Sequence, residues 1–228
     1  MSAETRVVGK RLPRIDAAGK VTGTAVYAVD FALPGMLHAS ILRSLEPHAR
    51  LVRIDANRAL ALPGVRAVIT AAEVPDVRYG GGLKDETVFA RDKVRYIGQP
   101  VAAVAATTRE AAEAALAAID VAYEPLPAVF DVEAALAPGA PLIHEAWETY
   151  TAIPLLHREG NVCNRARIVV GDVERGFAEA DRIFEHRFRT GIVHQGYTEP
   201  RAAVAREILP EQLRAIVRWQ STRSEEFT

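Results

Sequence analysis

The chain has 228 residues, 49% of them hydrophobic, enough to enclose one sizeable core or two small ones and too many for a chain disordered throughout. Its 28 basic and 29 acidic side chains leave a formal charge of -1 with both signs scattered, so no long-range field favours nucleic acid or an anionic membrane surface. The single cysteine, Cys163, excludes an internal disulfide and offers no Cys/His spacing for zinc or an iron–sulfur cluster; a buried spare thiol is expected.

The first thirty residues lack the basic start and apolar run of an export signal, which predicts a cytoplasmic location. Apolar segments are broken by charge or proline before they reach about 18 residues, so no membrane insertion is expected.

In chain order, Met36 to Leu45 contains a strand-like stretch, Asp55 to Leu62 has the spacing of a short helix stopped by Pro63-Gly64, and Val65 to Thr70 reads as a strand. Gly80-Gly81-Gly82 matches no phosphate-binding pattern and is expected to be a flexible bend. Val101 to Ala106 is a β-capable run. Thr107 and Thr108 then offer caps to a helix bearing Glu110, Glu113, Leu116 and Ile119, and Ile119 to Tyr123 returns to strand alternation. Strand, helix, strand implies a compact mixed domain.

From Pro138 to Asn164 the pattern loosens into an extended connector whose Trp147 and Tyr150 predict packing along another surface. Strand candidates follow at 167–170, 181–190, 203–205 and 213–219, with Gly171-Asp172 a turn into 173–180. The Phe184, His186, Phe188 alternation predicts an aromatic strand face. No layer is seen that closes over this second sheet.

Several stretches resemble the amino-terminal part of the molybdenum-carrying large subunit of the xanthine dehydrogenase, aldehyde oxidase and carbon monoxide dehydrogenase family. They are Gly19-Lys-Val-Thr-Gly23, Tyr27-Ala-Val-Asp30, Arg43-Ser-Leu-Glu-Pro-His-Ala49, Pro63-Gly-Val65, Asp92-Lys-Val-Arg-Tyr-Ile-Gly-Gln-Pro-Val-Ala102 and Val121-Ala-Tyr-Glu-Pro-Leu-Pro127. Gly171 to Asp181, Glu199-Pro200 and Trp219-Gln-Ser-Thr222 are similar to the start of the family's first molybdenum-cofactor domain, with Thr222-Arg223 standing where the family carries Thr-Gln. The Gly-Gly-x-Phe-Gly loop, later cofactor-holding segments and catalytic glutamate of the family have no counterpart here.

The resemblance implies an α+β chain. Residues 1–18 form an N-terminal extension, 19–132 an α/β hammerhead-like domain, 133–161 an extended connector, and 162–228 the start of an incomplete mixed α/β molybdenum-cofactor domain completed by a partner chain. It implies a subunit or fragment of a heteromeric molybdenum-dependent hydroxylase or dehydrogenase oxidising an aldehyde, an N-heterocycle or a related aromatic substrate, inactive in isolation. A longer partner would carry most of the molybdenum-pterin dinucleotide, while iron–sulfur and flavin subunits hold 2Fe–2S clusters and FAD. The alternatives are a related reductase acting on an aromatic thioester and a noncatalytic scaffold.

No catalytic, cofactor-binding or metal residue is assigned to this chain. His194, Gln195, Tyr197 and Glu199 fall within six positions and are candidates for a cavity or interface; His194 and Glu199 could form an acid–base pair if a turn joined them. The plainer expectation is that Gln195 and Glu199 bond to nearby backbone while Tyr197 packs at an interface. His38 is expected to be a partly buried donor, His48 has no carboxylate at metal-site spacing, and His144 and His157 are expected to face water.

Overall fold

The computed structural model describes residues 7–196, 198 and 201–205. The chain divides into two compact units, Gly35–His186 and a second made of Met1–Pro34 with Arg187–Thr228. Among its described residues the second unit holds helix α1 (Ala17–Val21), whose preceding residue Asp16 pairs with Arg14 and Lys20, and a 3-10 turn at Ala28–Asp30. That turn is boxed by Asp30, which accepts from the Tyr27 N–H at 2.9 Å.

The Gly35–His186 unit is α+β and is built on two three-stranded antiparallel sheets. The first places β5 (Pro100–Ala106) between β1 (His38–Arg43) and β3 (Val65–Thr70); the second places β2 (Ala49–Asp55) between β4 (Lys93–Val94) and β6 (Asp120–Pro125). β5 is central because its run of alanine and valine can be covered on both faces, and Pro100, lacking an N–H, stands at its first position. Helix α3 (Arg109–Ala118) starts where the Thr108 hydroxyl accepts from the Ala111 N–H at 3.1 Å, with Glu110 in the dipole-favoured first turn.

Helix α2 (Asn57–Leu60) and α3 pack on the first sheet through Ala59, Ala102, Val104, Ala115 and Ile119, where small side chains allow close approach. A second cluster joins Ala49, Ala90, Val94 and Val101. Ile54 on β2 and Val121 on β6 pack against both clusters, so the two sheets share one continuous apolar joint. Burial of Val94, Val101 and Val104 contributes about 1.5–3 kcal/mol each.

The expected elements at 36–45, 55–62, 65–70, 101–106, 107–118 and 119–123 correspond to β1, α2, β3, β5, α3 and β6. The sequence pattern does not reveal β2 and the two-residue β4, because Arg50, Arg53 and Lys93 break their apolar runs. After β6 come helix α4 (Val132–Leu136), a 3-10 turn at Trp147–Thr149 and helix α5 (Val173–Glu179), which is capped by Asp172 accepting from the Arg175 N–H at 3.0 Å.

No strand forms at 167–170, 181–190 or 203–205, contrary to the alternation there. Strand alternation alone leaves backbone N–H and C=O groups without a ladder, and no neighbouring described segment pairs with these stretches. Phe184 is accordingly exposed. The candidate at 213–219 lies outside the described residues.

The glycine triplet also departs from expectation. Leu83 bridges Ala152, the Ile153 N–H donates to the Gly82 carbonyl at 3.0 Å, and the Lys84 N–H donates to the Thr151 carbonyl at 2.8 Å, so the segment is docked rather than loose. Gly80 has φ +144°, and a Cβ there would lie 1.9 Å from the Leu83 carbonyl oxygen. Gly80→Ala is therefore expected to destabilise the fold by about 1–3 kcal/mol, read as a lower urea midpoint, whereas Gly81→Ala, with open space around its Cβ position, leaves the midpoint nearly unchanged.

Candidate functional site

The three motifs at 43–49, 92–102 and 121–127 converge in the fold. Antiparallel pairing sets Ala49 opposite Val94 and Pro125, and Arg50 opposite Lys93 and Glu124. The Ser44 N–H donates to the Gln99 carbonyl at 2.9 Å, the Gly98 N–H donates to the Ser44 carbonyl at 2.7 Å, and the Leu51 N–H donates to the Asp92 carbonyl at 2.9 Å. Buried Gln99 turns its Oε1 back to accept from the Arg95 N–H at 2.7 Å, which closes the tight turn at 95–99.

At the centre of this convergence lie two buried polar side chains, His48 and Lys93. His48 Nδ1 is 2.7 Å from the Pro127 carbonyl, which can only accept, so Nδ1 carries the proton. Nε2, 3.0 Å from Lys93 Nζ, must then accept from the lysine. Lys93 also donates to Glu145 Oε1 at 2.5 Å. The result is a directed chain from Lys93 through His48 to Pro127, with Glu145 supplying the countercharge from a more exposed position.

Opposing influences act on Glu145. Burial pushes its carboxyl up, but the Lys93 hydrogen bond, a backbone hydrogen bond and the positive charges of Lys93 and Arg95 together leave it below the usual carboxylate range. Its neighbour His144, expected in water, is half-buried and held below its ordinary value by burial first and then by Arg95, with Lys93 and Arg78 acting in the same sense and Asp85 opposing. His144 Nδ1 lies 3.1 Å from the Tyr150 hydroxyl, the two rings meet edge to face at 5.6 Å, and Arg78 covers the Tyr150 ring at 4.6 Å.

Beside this network is a cavity of about 330 Å³ whose walls include Phe130, His144, Trp147, Tyr150, Arg158 and Cys163. Its walls belong to a segment without regular strands, fixed instead by side-chain clamps. Arg158 donates to the Trp147 carbonyl at 2.7 Å and the Tyr150 carbonyl at 3.0 Å, while Asn161 donates to the Ala135 and Pro141 carbonyls and accepts from the Ile143 N–H. Cys163 is exposed at the cavity wall, not buried as expected.

The candidates singled out from sequence fall in the other unit of the chain. His194 and Gln195 are exposed, with His194 Nδ1 accepting from the Gly196 N–H at 3.1 Å, while Tyr197 and Glu199 lie outside the described residues. His38 is half-buried on β1 and His157 is exposed. The signal that could have found the polar centre was a histidine and a lysine inside motifs otherwise rich in small and apolar residues.

Among the described residues no group of three or more His, Cys, Asp or Glu side chains could hold a metal ion. The described part of the region after residue 156 offers a shallow depression lined by Val173, Phe177, Ile183 and Phe184 with Arg182 as its charged donor. A pterin dinucleotide requires converging donors around phosphates and ring edges, and these residues do not fit it.

The fold and motif order are those of an α/β hammerhead chain. The family model for the a/b hammerhead domain of aldehyde oxidase and xanthine dehydrogenase matches residues 22–127, and that for the molybdopterin cofactor-binding domain matches residues 156–223. The chain belongs to the xanthine dehydrogenase, aldehyde oxidase and carbon monoxide dehydrogenase family, as its hammerhead with part of a molybdenum-cofactor domain.

It is 40% identical over 193 residues to a probable xanthine dehydrogenase component of Bacillus subtilis (strain 168), covering 84% of this chain and 24% of that one. It is 35% identical over 206 residues to the nicotinate dehydrogenase large molybdopterin subunit of Eubacterium barkeri, covering 90% and 45%. CO dehydrogenase from Oligotropha carboxidovorans matches with a TM-score of 0.59 and 34% identity over 67% of this chain and 20% of that one. The chain thus spans less than half the length of these relatives. No described helix is long and apolar enough to cross a membrane.

Two outcomes follow from the polar centre. Lys93→Met leaves buried His48 Nε2 without a donor and is expected to cost about 1–3 kcal/mol, and Glu145→Gln, which keeps an acceptor for Lys93 but removes the countercharge of a buried ammonium, is expected to be destabilising as well; a lowered urea midpoint in both variants checks this. The lowered value of His144 means that its contribution to stability is present above its unfolded value of 6.5 and is lost as pH falls through the folded value. An NMR titration is expected to place the His144 midpoint below 6.5, and His144→Gln to flatten the fall in melting temperature on the acid side.

Proposed function

We propose that this chain is a subunit, or a piece of the large subunit, of a heteromeric molybdenum-dependent hydroxylase or dehydrogenase acting on an aldehyde, an N-heterocycle or a related aromatic compound. In this reading a longer partner carries most of the molybdenum-pterin dinucleotide site, iron–sulfur and flavin subunits bearing 2Fe–2S clusters and FAD take up the electrons, and the isolated chain does not turn over. The observation that carries it is the order of two family matches on one chain, a hammerhead over 22–127 followed by a cofactor-binding region over 156–223.

Two further observations support the partner. Ile168, Val170 and Phe184 are exposed on segments with strand alternation and no ladder, surface that another chain's sheet would cover. Moreover, 206 aligned residues make up 45% of the Eubacterium barkeri subunit but 193 make up 24% of the Bacillus subtilis relative, so large chains of very different length occur among the relatives. The nicotinate dehydrogenase name of the former favours an N-heterocycle within the substrate class.

The bound cofactor would supply the oxidation; this chain's part is to wall its cavity. The segment from His194 through Gln195 and Tyr197 to Glu199 is its nearest approach in this reading. Glu199→Gln removes one charge with little change of shape, so turnover of the assembled enzyme is expected to fall while assembly is retained. The direct test is affinity purification of the chain from its native host with metal analysis: the account predicts a longer molybdenum-bearing chain in the complex and none of the metal with the isolated chain. An intact native complex without molybdenum would point to the scaffold alternative, and stoichiometric molybdenum in the isolated chain would contradict the shared-site reading.

A further inference from the structure

The cavity beside the polar centre has a chemical character of its own. Phe130, Trp147 and Tyr150 give it aromatic walls, and its volume of about 330 Å³ suits a ligand of one or two rings. Arg158 stands in the wall, and what fixes it is backbone: one N–H of each terminal nitrogen goes to the carbonyls of Trp147 and Tyr150. Among the described residues nothing else accepts from its remaining guanidinium donors, and no carboxylate lies within ion-pair distance of it. A cation held in place by neutral carbonyls keeps its full charge for a ligand.

Two acids line the same cavity, and among the described residues neither is paired with Arg158. Asp131 is engaged at the start of α4, accepting from the Glu133 and Ala134 N–H groups at 2.8 and 3.1 Å. Asp85 also lines the cavity, and the His144 imidazole on this wall is held toward its neutral form, by burial first and then by Arg95. A neutral imidazole next to a fixed guanidinium and three aromatic rings is suited to an anion carried on a flat apolar body.

We propose that this cavity binds a small aromatic carboxylate, its ring between the aromatic walls and its carboxylate on Arg158. The site lies wholly within the Gly35–His186 unit, so binding does not require the cofactor-bearing partner and is independent of the reading given under the proposed function.

Cys163, the sole cysteine of the chain, is exposed at the cavity wall and serves as a built-in reporter. Alkylation of the full chain by iodoacetamide is measured with benzoate and with benzamide, its uncharged counterpart of nearly equal shape. Benzoate is expected to slow the reaction saturably at millimolar concentration, and benzamide to need about tenfold more for the same effect, the difference made by a charge-assisted hydrogen bond. Ala135→Leu, which adds bulk at the cavity wall on α4, is expected to abolish protection by benzoate while the circular dichroism spectrum is retained; Val132→Phe replaces it should that variant fail to fold. Absence of saturable slowing by benzoate, equal protection by benzamide, or protection that survives cavity filling in a folded variant would each overturn the proposal.

Discussion

The contact between Lys93 and His48 constrains the rest of the Gly35–His186 unit. A lysine ammonium withdrawn from water is tolerated only where acceptors replace its hydration, and here they are an imidazole nitrogen and a carboxylate. The imidazole can accept only because its other nitrogen is committed to Pro127. One residue on β4, one at the edge of β2, one after β6 and one in the segment beyond α4 are thereby fixed together. Ladder hydrogen bonds alone would leave the two-residue β4 a weak element.

This constraint gives a physical meaning to the family's sequence pattern. The Arg-Ser-Leu-Glu-Pro-His-Ala, Asp-Lys-Val-Arg-Tyr-Ile-Gly-Gln-Pro and Tyr-Glu-Pro-Leu-Pro stretches are separated in the chain, yet their His48, Lys93 and Pro127 are successive members of one hydrogen-bonded chain. Around it, Ser44, Gly98 and Gln99 tie the first two stretches by backbone contacts that leave little tolerance for shape change. Contacts of this kind make the hammerhead a rigid platform.

Much of the fold could be read from sequence where pattern and burial agree. Val101 to Ala106 followed by Thr108 and a glutamate-led helix specify β5 and α3 because local propensity, capping and core position point the same way. β2 was hidden because Arg50 and Arg53 interrupt its apolar pattern while bonding across the sheet to Glu124 and Asp120. The stretch at 181–190 misled in the opposite direction: its alternation is real, but alternation specifies a strand only when a neighbouring edge exists to pair with it. The polar centre was invisible for a third reason, that His48, Lys93 and Glu145 are brought together by tertiary pairing and no local spacing announces it.

A single hydrogen-bond direction runs from Lys93 through His48 to Pro127, and the protonation of the His48 ring tests it most directly. A nitrogen-15 NMR spectrum correlating the ring nitrogens with the carbon-bound protons of His48 at neutral pH is predicted to show a protonated Nδ1 and an unprotonated Nε2. A proton on Nε2 would set two donors against each other at the Lys93 contact and would contradict the account.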